Sequence, residues 1–554
     1  MSKVHEGRII NANNPSQGVI EYHERTKHHP NRHARSSGYL DWDKEPNPFR
    51  QYEGINSLRL PFAENYPDSN YFALYERKNN IFKPFSLENI GVFLELCLGL
   101  SAWKSYDGNT WPLRVNPSSG NLHPTEAHLI LASLHENNKP GGVFHYNPLF
   151  HALEQRAKFD EQFRLKIREH FHTDGFLIGL TSIYWRESWK YGERAFRYCN
   201  HDVGHAMACL SLAANLLGWK TTYLNSLSSK EIEIILGLQK TEWRELEKEE
   251  PELLFFVHKN TKEHIPANIP SGLVQSFESL LFEGKPKILS MEHANWDVIY
   301  EVSSITNKPQ TEEKTYNYKD HEYLEKEIPS KVGAKIIRQR RSAQAYDGKT
   351  SITKEQFFAI LDKTIPRNNS APFDLELGEV SVHLLIFAHR VIDLESGLYF
   401  LVRNEKHYND IKQRCHSYFL WETIKESPHT LSLYLLKKGD YVREAMQVSC
   451  RQDIAGDGAF SVGMIARFKE NIENQPFIYR QLFWETGMIG QVLYLEAEAH
   501  SVRGTGIGCF YDDLIHQLLG FKDNAYQSLY HFTIGGALED ERLTTLPPYH
   551  HLKK

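Results

Sequence analysis

The chain is poor in the features that would make its class obvious. Its six cysteines (Cys97, Cys199, Cys209, Cys415, Cys450 and Cys509) are scattered without a CxxC pair. That pattern excludes a disulfide framework and a zinc knuckle, and fits reduced thiols. No uninterrupted apolar run approaches the roughly 20 residues of a membrane-spanning helix, and residues 1–14 lack the basic and apolar regions of a signal peptide. No membrane partner is expected, and a cytoplasmic location follows by default. Neither charge dominates: 64 basic residues face 70 acidic ones, for a net charge of -6, so no nucleic-acid partner is indicated.

Three familiar sites are also missing. Gly504-Thr505-Gly506-Ile507-Gly508 lacks the last glycine of GxGxxG and follows a helical pattern instead of a strand, which removes a dinucleotide fingerprint. Asp453-Ile454-Ala455-Gly456-Asp457-Gly458 lacks the ligand ladder of a calcium loop. His23, His28, His29 and His33 cluster without tight pair spacing and without cysteine or carboxylate partners nearby in sequence, so no metal is expected.

What remains is a globular composition, 41% apolar and 24% charged, over 554 residues, too long for one core. The chain repeats internally. Residues 201–217 place Val203, Ala206, Met207, Leu210, Ala213, Ala214 and Leu217 at helical spacing, followed by a strand at 221–224, a short helix closing on Gly237 and an apolar strand at 253–257. The second half runs in the same order: a helix marked by Trp484, Met488, Ile489, Val492 and Leu493, a turn at 504–510, a short helix at 512–519 and a strand at 530–534. The starts correspond too, because residues 86–100 and 351–365 each open a helix on a hydroxyl residue followed by glutamate. His205 lies on the apolar face and reads as a core histidine. We therefore expect an α+β fold with an arm at 1–60, a domain at 61–285, a linker at 286–330 where residues 307–314 are polar and weakly periodic, and a second domain at 331–554.

The stretch Arg114-Val115-Asn116-Pro117-Ser118-Ser119-Gly120-Asn121-Leu122-His123-Pro124-Thr125-Glu126, followed by Trp189-Lys190-Tyr191-Gly192-Glu193-Arg194 and Asp202-Val203-Gly204-His205, closely resembles the SagB-type dehydrogenases of the nitroreductase superfamily. The second half, with Arg340-Arg341-Ser342 and Gly504–Phe510 followed by Asp512-Asp513, resembles the broader superfamily. The resemblance implies two nitroreductase-like domains, each a small sheet flanked by helices, arranged as a pseudo-dimer that holds FMN between them. Arg340, Arg341 and Ser342 would hold the phosphate. Pro117, Ser118, Ser119, Gly120 and Asn121 would reach the ring and ribityl chain from the other half. Gly506, Ile507 and Gly508 would let backbone approach the ring.

The reciprocal pocket reads as degraded. It offers Arg77-Lys78-Asn79 for the arginine motif, Gly218-Trp219-Lys220-Thr221 for the glycine turn and Asn369-Ser370-Ala371-Pro372 near the place of Pro-Ser-Ser, so one FMN per chain is expected. Family members that oxidise azoline rings carry a Lys-Tyr pair, which makes Lys190 and Tyr191 the catalytic candidates, absent from the matching stretch at 477–483. The implied function is FMN-dependent hydride transfer from a substrate carbon, in a small molecule or a peptide, with oxygen as an electron acceptor. Two other readings stay open: an NAD(P)H-dependent nitro or quinone reductase, and a non-catalytic flavin-binding partner of a peptide-modifying complex. Fusion supplies an interface that homodimers make between chains, so a monomeric pseudo-dimer is preferred over a higher homo-oligomer.

Overall fold

Two helices of 22 residues each, Ala195–Leu216 and Ile478–Ala499, pack against one another at the centre of the molecule. Every residue of the first is buried, as expected for a helix enclosed on all sides. Both start a turn and a half or more before the apolar pattern of the sequence suggests, because buried polar residues such as Arg197, His201 and Arg480 interrupt that pattern. At their crossing a glycine faces a glycine. A Cβ on Gly204 would lie 2.3 Å from the Trp484 carbonyl oxygen, and one on Gly487 would lie 2.3 Å from that of His201. Gly204 and Gly487 occupy matching positions in the two helices, as do His201 and Trp484, so the crossing lies on the pseudo-twofold relation between the halves.

The computed structural model describes residues 10–77, 82–134, 139–261, 263–319, 322–324 and 331–552. Each half contains a seven-stranded sheet with antiparallel neighbours throughout. In the first, Thr125–Leu134, Gly175–Ser182, Glu250–Lys259 and Trp219–Tyr223 lie side by side in that order. In the second, Val382–Ala388, Phe460–Arg467, Tyr526–Gly535 and Arg503–Ile507 repeat it. The halves are thus two α+β units, each a sheet flanked by helices. The stretch read as a linker includes a helix, Asp297–Ile305, whose Val298, Ile299 and Val302 are buried.

Described segments early and late in the chain each cross to the other half. Helix Pro15–Arg25, capped by Asn14 and opened by Pro15, reaches the second half through His23, whose ring nitrogens meet Tyr479 Oη at 3.2 Å and Gln527 Oε1 at 3.1 Å. Near the other end, Thr544–Leu546 pairs antiparallel with Leu100–Tyr106 of the first half.

Candidate active site

Where the two halves meet, a cavity of about 470 Å³ gathers the sequence motifs of both. Pro117, Ser118, Ser119, Gly120, Asn121 and Tyr191 line it from the first half; Arg340, Arg341, Ser342, Gly506, Ile507 and Gly508 line it from the second. Lys190 is not among the lining residues. Its Nζ lies 5.8 Å from the centre of the Trp42 ring and 5.5 Å from that of Tyr191. Arg194, four residues further on, is paired with Asp512.

The loop at 118–123 is built tightly. Gly120, Asn121 and His123 all have positive φ (59°, 61° and 52°), and a Cβ on Gly120 would fall 2.6 Å from Tyr191 Oη. Glycine is therefore required there both by conformation and by the tyrosine. The Ser119 N–H and hydroxyl each donate to Asp202 Oδ1 at 3.0 Å. The Ser118 hydroxyl accepts from the His123 N–H at 2.8 Å, and Asn121 Nδ2 donates to the Pro112 carbonyl at 2.9 Å.

The glycine-rich segment differs from the turn expected at 504–510. Arg503–Ile507 is an edge strand paired with Tyr526–Gly535. Its alternate glycines strip side chains from one face: a Cβ on Gly506 would fall 2.0 Å from Tyr530 Oη, and one on Gly508 2.4 Å from the Tyr198 ring. The Gly506 N–H already donates to Tyr494 Oη at 2.9 Å, and that hydroxyl also meets Ser342 Oγ at 2.9 Å. The Gly506 N–H is thus engaged by protein.

One end of the cavity is cationic. Arg340 donates to the Val115 and Arg114 carbonyls at 3.2 Å and lies over the Tyr494 ring at 5.0 Å. Arg341 donates to the carbonyls of Arg338, Arg340 and Ser101. Among the described residues neither guanidinium forms an ion pair with a carboxylate. Burial and the neighbouring charge of Arg340 push Arg341 down to about 10. Guanidinium groups crowded together and bonded only to carbonyls suit a phosphate dianion, which would supply the missing negative charge. The donor set thus fits the phosphate of a flavin mononucleotide.

Sequence reasoning assigned no role to Asp202, which also lines the cavity. Asp202 is 2% exposed, and burial pushes its carboxyl up to about 7 against the hydrogen bonds from Ser118 and Ser119 that hold it down. It therefore titrates near neutrality. Burial drives the Tyr191 phenol well above its ordinary range, so it remains a donor. His205 is buried and satisfied, as expected, between Tyr530 Oη at 3.1 Å and Gln491 Oε1 at 3.4 Å, yet it also lines the cavity. The available signal was Asp202 itself, the one carboxylate of a helix whose every residue is buried.

The reciprocal position is built differently. Tyr198, Asp202 and His205 in the cavity wall correspond to Gln481, Glu485 and Met488, which line a second cavity of about 270 Å³. There Arg77 is locked to Asp374, with Nε to Oδ2 at 2.6 Å and Nη2 to Oδ1 at 2.9 Å. Lys78 and Asn79 lie outside the described residues. The chain between the halves lies across this position: the Thr311 N–H donates to the Ser226 carbonyl at 2.9 Å, and Asn225 Nδ2 donates to the Lys314 carbonyl at 2.7 Å. Asn225 and Ser226 lie just past Trp219–Tyr223, the counterpart of the glycine-rich strand.

Comparison with known proteins agrees with the duplicated fold. Among curated proteins none matches this chain. Among solved structures, a candidate nitroreductase from Anabaena variabilis ATCC 29413 is similar over 94% of this chain and 99% of its own, with 20% identity and a TM-score of 0.64. Two others overlap at TM-scores too low to bear on this chain. One is a candidate nitroreductase from Ralstonia eutropha JMP134 (0.28, 14% identity, 41% of this chain and 98% of that one). The other is the E. coli microcin synthetase McbBCD complex with truncated pro-MccB17 bound (0.26, 20% identity, 47% of this chain and 99% of that one). The nitroreductase-family profile matches twice, over residues 86–246 and 337–536, once in each half. The chain belongs to the nitroreductase family, with both copies of the fold in one polypeptide.

Proposed function

We propose that this protein is an FMN-dependent oxidoreductase of the SagB-type dehydrogenase kind, acting from one composite site on a carbon–hydrogen bond of a small-molecule or peptide substrate, with azoline-to-azole oxidation as the leading case. The observation that carries the reading is the cavity of about 470 Å³ where Arg340 and Arg341 from one half face the Pro117–Asn121 loop and Tyr191 from the other. Bound FMN would supply a two-electron acceptor for hydride. Arg340, Arg341 and Ser342 would hold its phosphate end. Tyr191, kept protonated by burial, orients a substrate heteroatom by donating a hydrogen bond. Asp202, titrating near neutrality, accepts or returns a proton in the same wall. The reciprocal position, with Arg77 neutralised by Asp374 and crossed by residues 308–318, supports one FMN per chain.

The position of Lys190 outside the cavity lining favours keeping a second reading, reduction of nitro or quinone compounds by NAD(P)H, which does not use the Lys-Tyr pair. Rapid mixing of FMN-loaded enzyme with azoline-containing peptides or with NADPH, followed through flavin bleaching, separates the two. On the first reading the peptide bleaches the flavin and Tyr191→Phe slows this by about 100-fold or more, while Lys190→Ala has the smaller effect. Bleaching by NADPH alone, unchanged in Tyr191→Phe, overturns the first reading in favour of the second.

A further inference from the structure

Cys450 and Cys509 are distant in sequence, yet their sulfurs lie 2.8 Å apart, and both residues are partly accessible. The other four cysteines are buried. Cys509 follows Gly508 in the cavity wall. Cys450 sits in a turn where it and Arg451 both hold positive φ, 55° and 60°, an unfavourable conformation for side chains of this kind. Gln452 fastens that turn to the wall, because its Nε2 donates to the Ser449 carbonyl at 2.8 Å and to the Cys509 carbonyl at 2.9 Å.

Two chemistries could use this cluster. His28, His33 and Cys509 place ligand atoms within 4.8 Å of one another, bringing to the N-terminal histidines the cysteine partner that their local sequence lacks. His28 argues against a metal. Its Nδ1 accepts the Ala34 N–H at 2.9 Å, which leaves the ring proton on Nε2 and no lone pair there for an ion. The neighbouring charge also weighs against it: Arg194 donates to the Gly508 carbonyl at 3.3 Å and lies 4.8 Å from the Phe510 ring, and its effect on Cys509 exceeds that of its carboxylate partner Asp512. A cation at that place repels a metal ion and stabilises a thiolate.

We infer that Cys509, in the wall of the cavity, and Cys450 behind it form a redox-active dithiol that exchanges two electrons with low-molecular-weight disulfides. Cys509 is the attacking sulfur. The hydrogen bond it shares with Cys450 lowers its pKa and Arg194 adds to that against the effect of burial, while the same hydrogen bond raises Cys450. The Cys509 thiolate attacks one sulfur of the external disulfide, forming a mixed disulfide and releasing one thiolate. Cys450 then loses its proton to solvent, attacks the Cys509 sulfur and expels the second thiolate. The pair is oxidised to a disulfide, the external disulfide is reduced to two thiols, and the two protons lost by the pair balance the two thiolates released. The inference rests on the positions of the two sulfurs and holds whether or not FMN binds.

The test is exposure of the folded protein, without added flavin, to oxidised glutathione, followed by alkylation and intact mass with peptide mapping. Wild type is expected to lose the alkylatable thiols of Cys450 and Cys509 and carry no glutathione, with the four buried cysteines unchanged after unfolding. Cys450→Ser is expected to trap one glutathione on Cys509, and Cys509→Ser to leave Cys450 unmodified. Wild type that keeps both thiols alkylatable after excess oxidant overturns the proposal without recourse to either variant. Stoichiometric zinc retained by the native protein, protecting Cys509 from alkylation, overturns it in favour of the metal.

Discussion

Asp512→Ala is expected to destabilise the protein by about 3–5 kcal/mol at neutral pH, the cost of leaving buried cations without their carboxylate. Asp512 accepts from Arg197 Nη1 at 2.7 Å, from Arg194 Nη1 at 3.0 Å and from the His28 N–H at 2.9 Å. All three side chains of the ion pairs are 1% exposed or less. The two arginines also hold the N-terminal arm, through the Thr26 carbonyl and hydroxyl and the His23 carbonyl. One carboxylate thus ties the arm, the first central helix and the segment after the glycine-rich strand together. Burial works to raise the pKa of Asp512, but Arg194 and Arg197 prevail and hold it well below the ordinary carboxylate range. A group depressed in the folded state contributes stability above its unfolded pKa, near 3.9, and loses it as pH falls toward the folded value. The gap between wild type and Asp512→Ala in urea unfolding should therefore be full at pH 7 and narrow below about pH 4. Equal gaps at both pH values would show that lost charge pairing is not the cause.

The second large effect belongs to the helix crossing. Gly204→Leu and Gly487→Leu are each expected to cost more than about 3 kcal/mol, beyond the usual range for overpacking. The new side chain would meet backbone, which cannot turn away, at 2.3 Å in both cases. The two variants should behave alike because the positions match. Gly272→Leu, where nothing lies within 4 Å, serves as the control and should melt with wild type. Thermal unfolding and soluble yield measure the effect. If either helix variant melted with the control, close contact at the crossing would not be what joins the halves.

The duplication was legible because its strongest marks are long and apolar. The helices around Val203–Leu210 and Met488–Leu493 repeat at the same spacing, and the order of elements after them repeats as well. The glycine-rich segment was misread for a physical reason. Glycines ordinarily mark turns, but Gly504, Gly506 and Gly508 alternate with a period of two, which is the period of a strand with one bare face. That face receives Phe532, Tyr530 and Tyr198. The helix Asp297–Ile305 went unread in a stretch taken as linker, since it spans nine residues between polar segments.

The candidate site divides along the same line. Motifs with local signatures, Pro117–Asn121, Arg340-Arg341-Ser342 and Tyr191, come together in one cavity. Features created only by folding were not legible. The burial that raises Asp202, the Asp374 that neutralises Arg77 and the approach of Cys509 to Cys450 each join residues more than fifty positions apart or depend on exclusion of water. Lys190 shows the converse: adjacency in sequence to Tyr191 did not bring it into the lining of the cavity, because consecutive residues of a helix point in different directions.

The most direct test of a single composite flavin site is the number of FMN molecules released per polypeptide after reconstitution, in wild type, Arg341→Ala and Gly120→Trp. One FMN per chain in wild type, with little or none in either variant, is the expected result. Two per chain, or one that survives both substitutions, would contradict it.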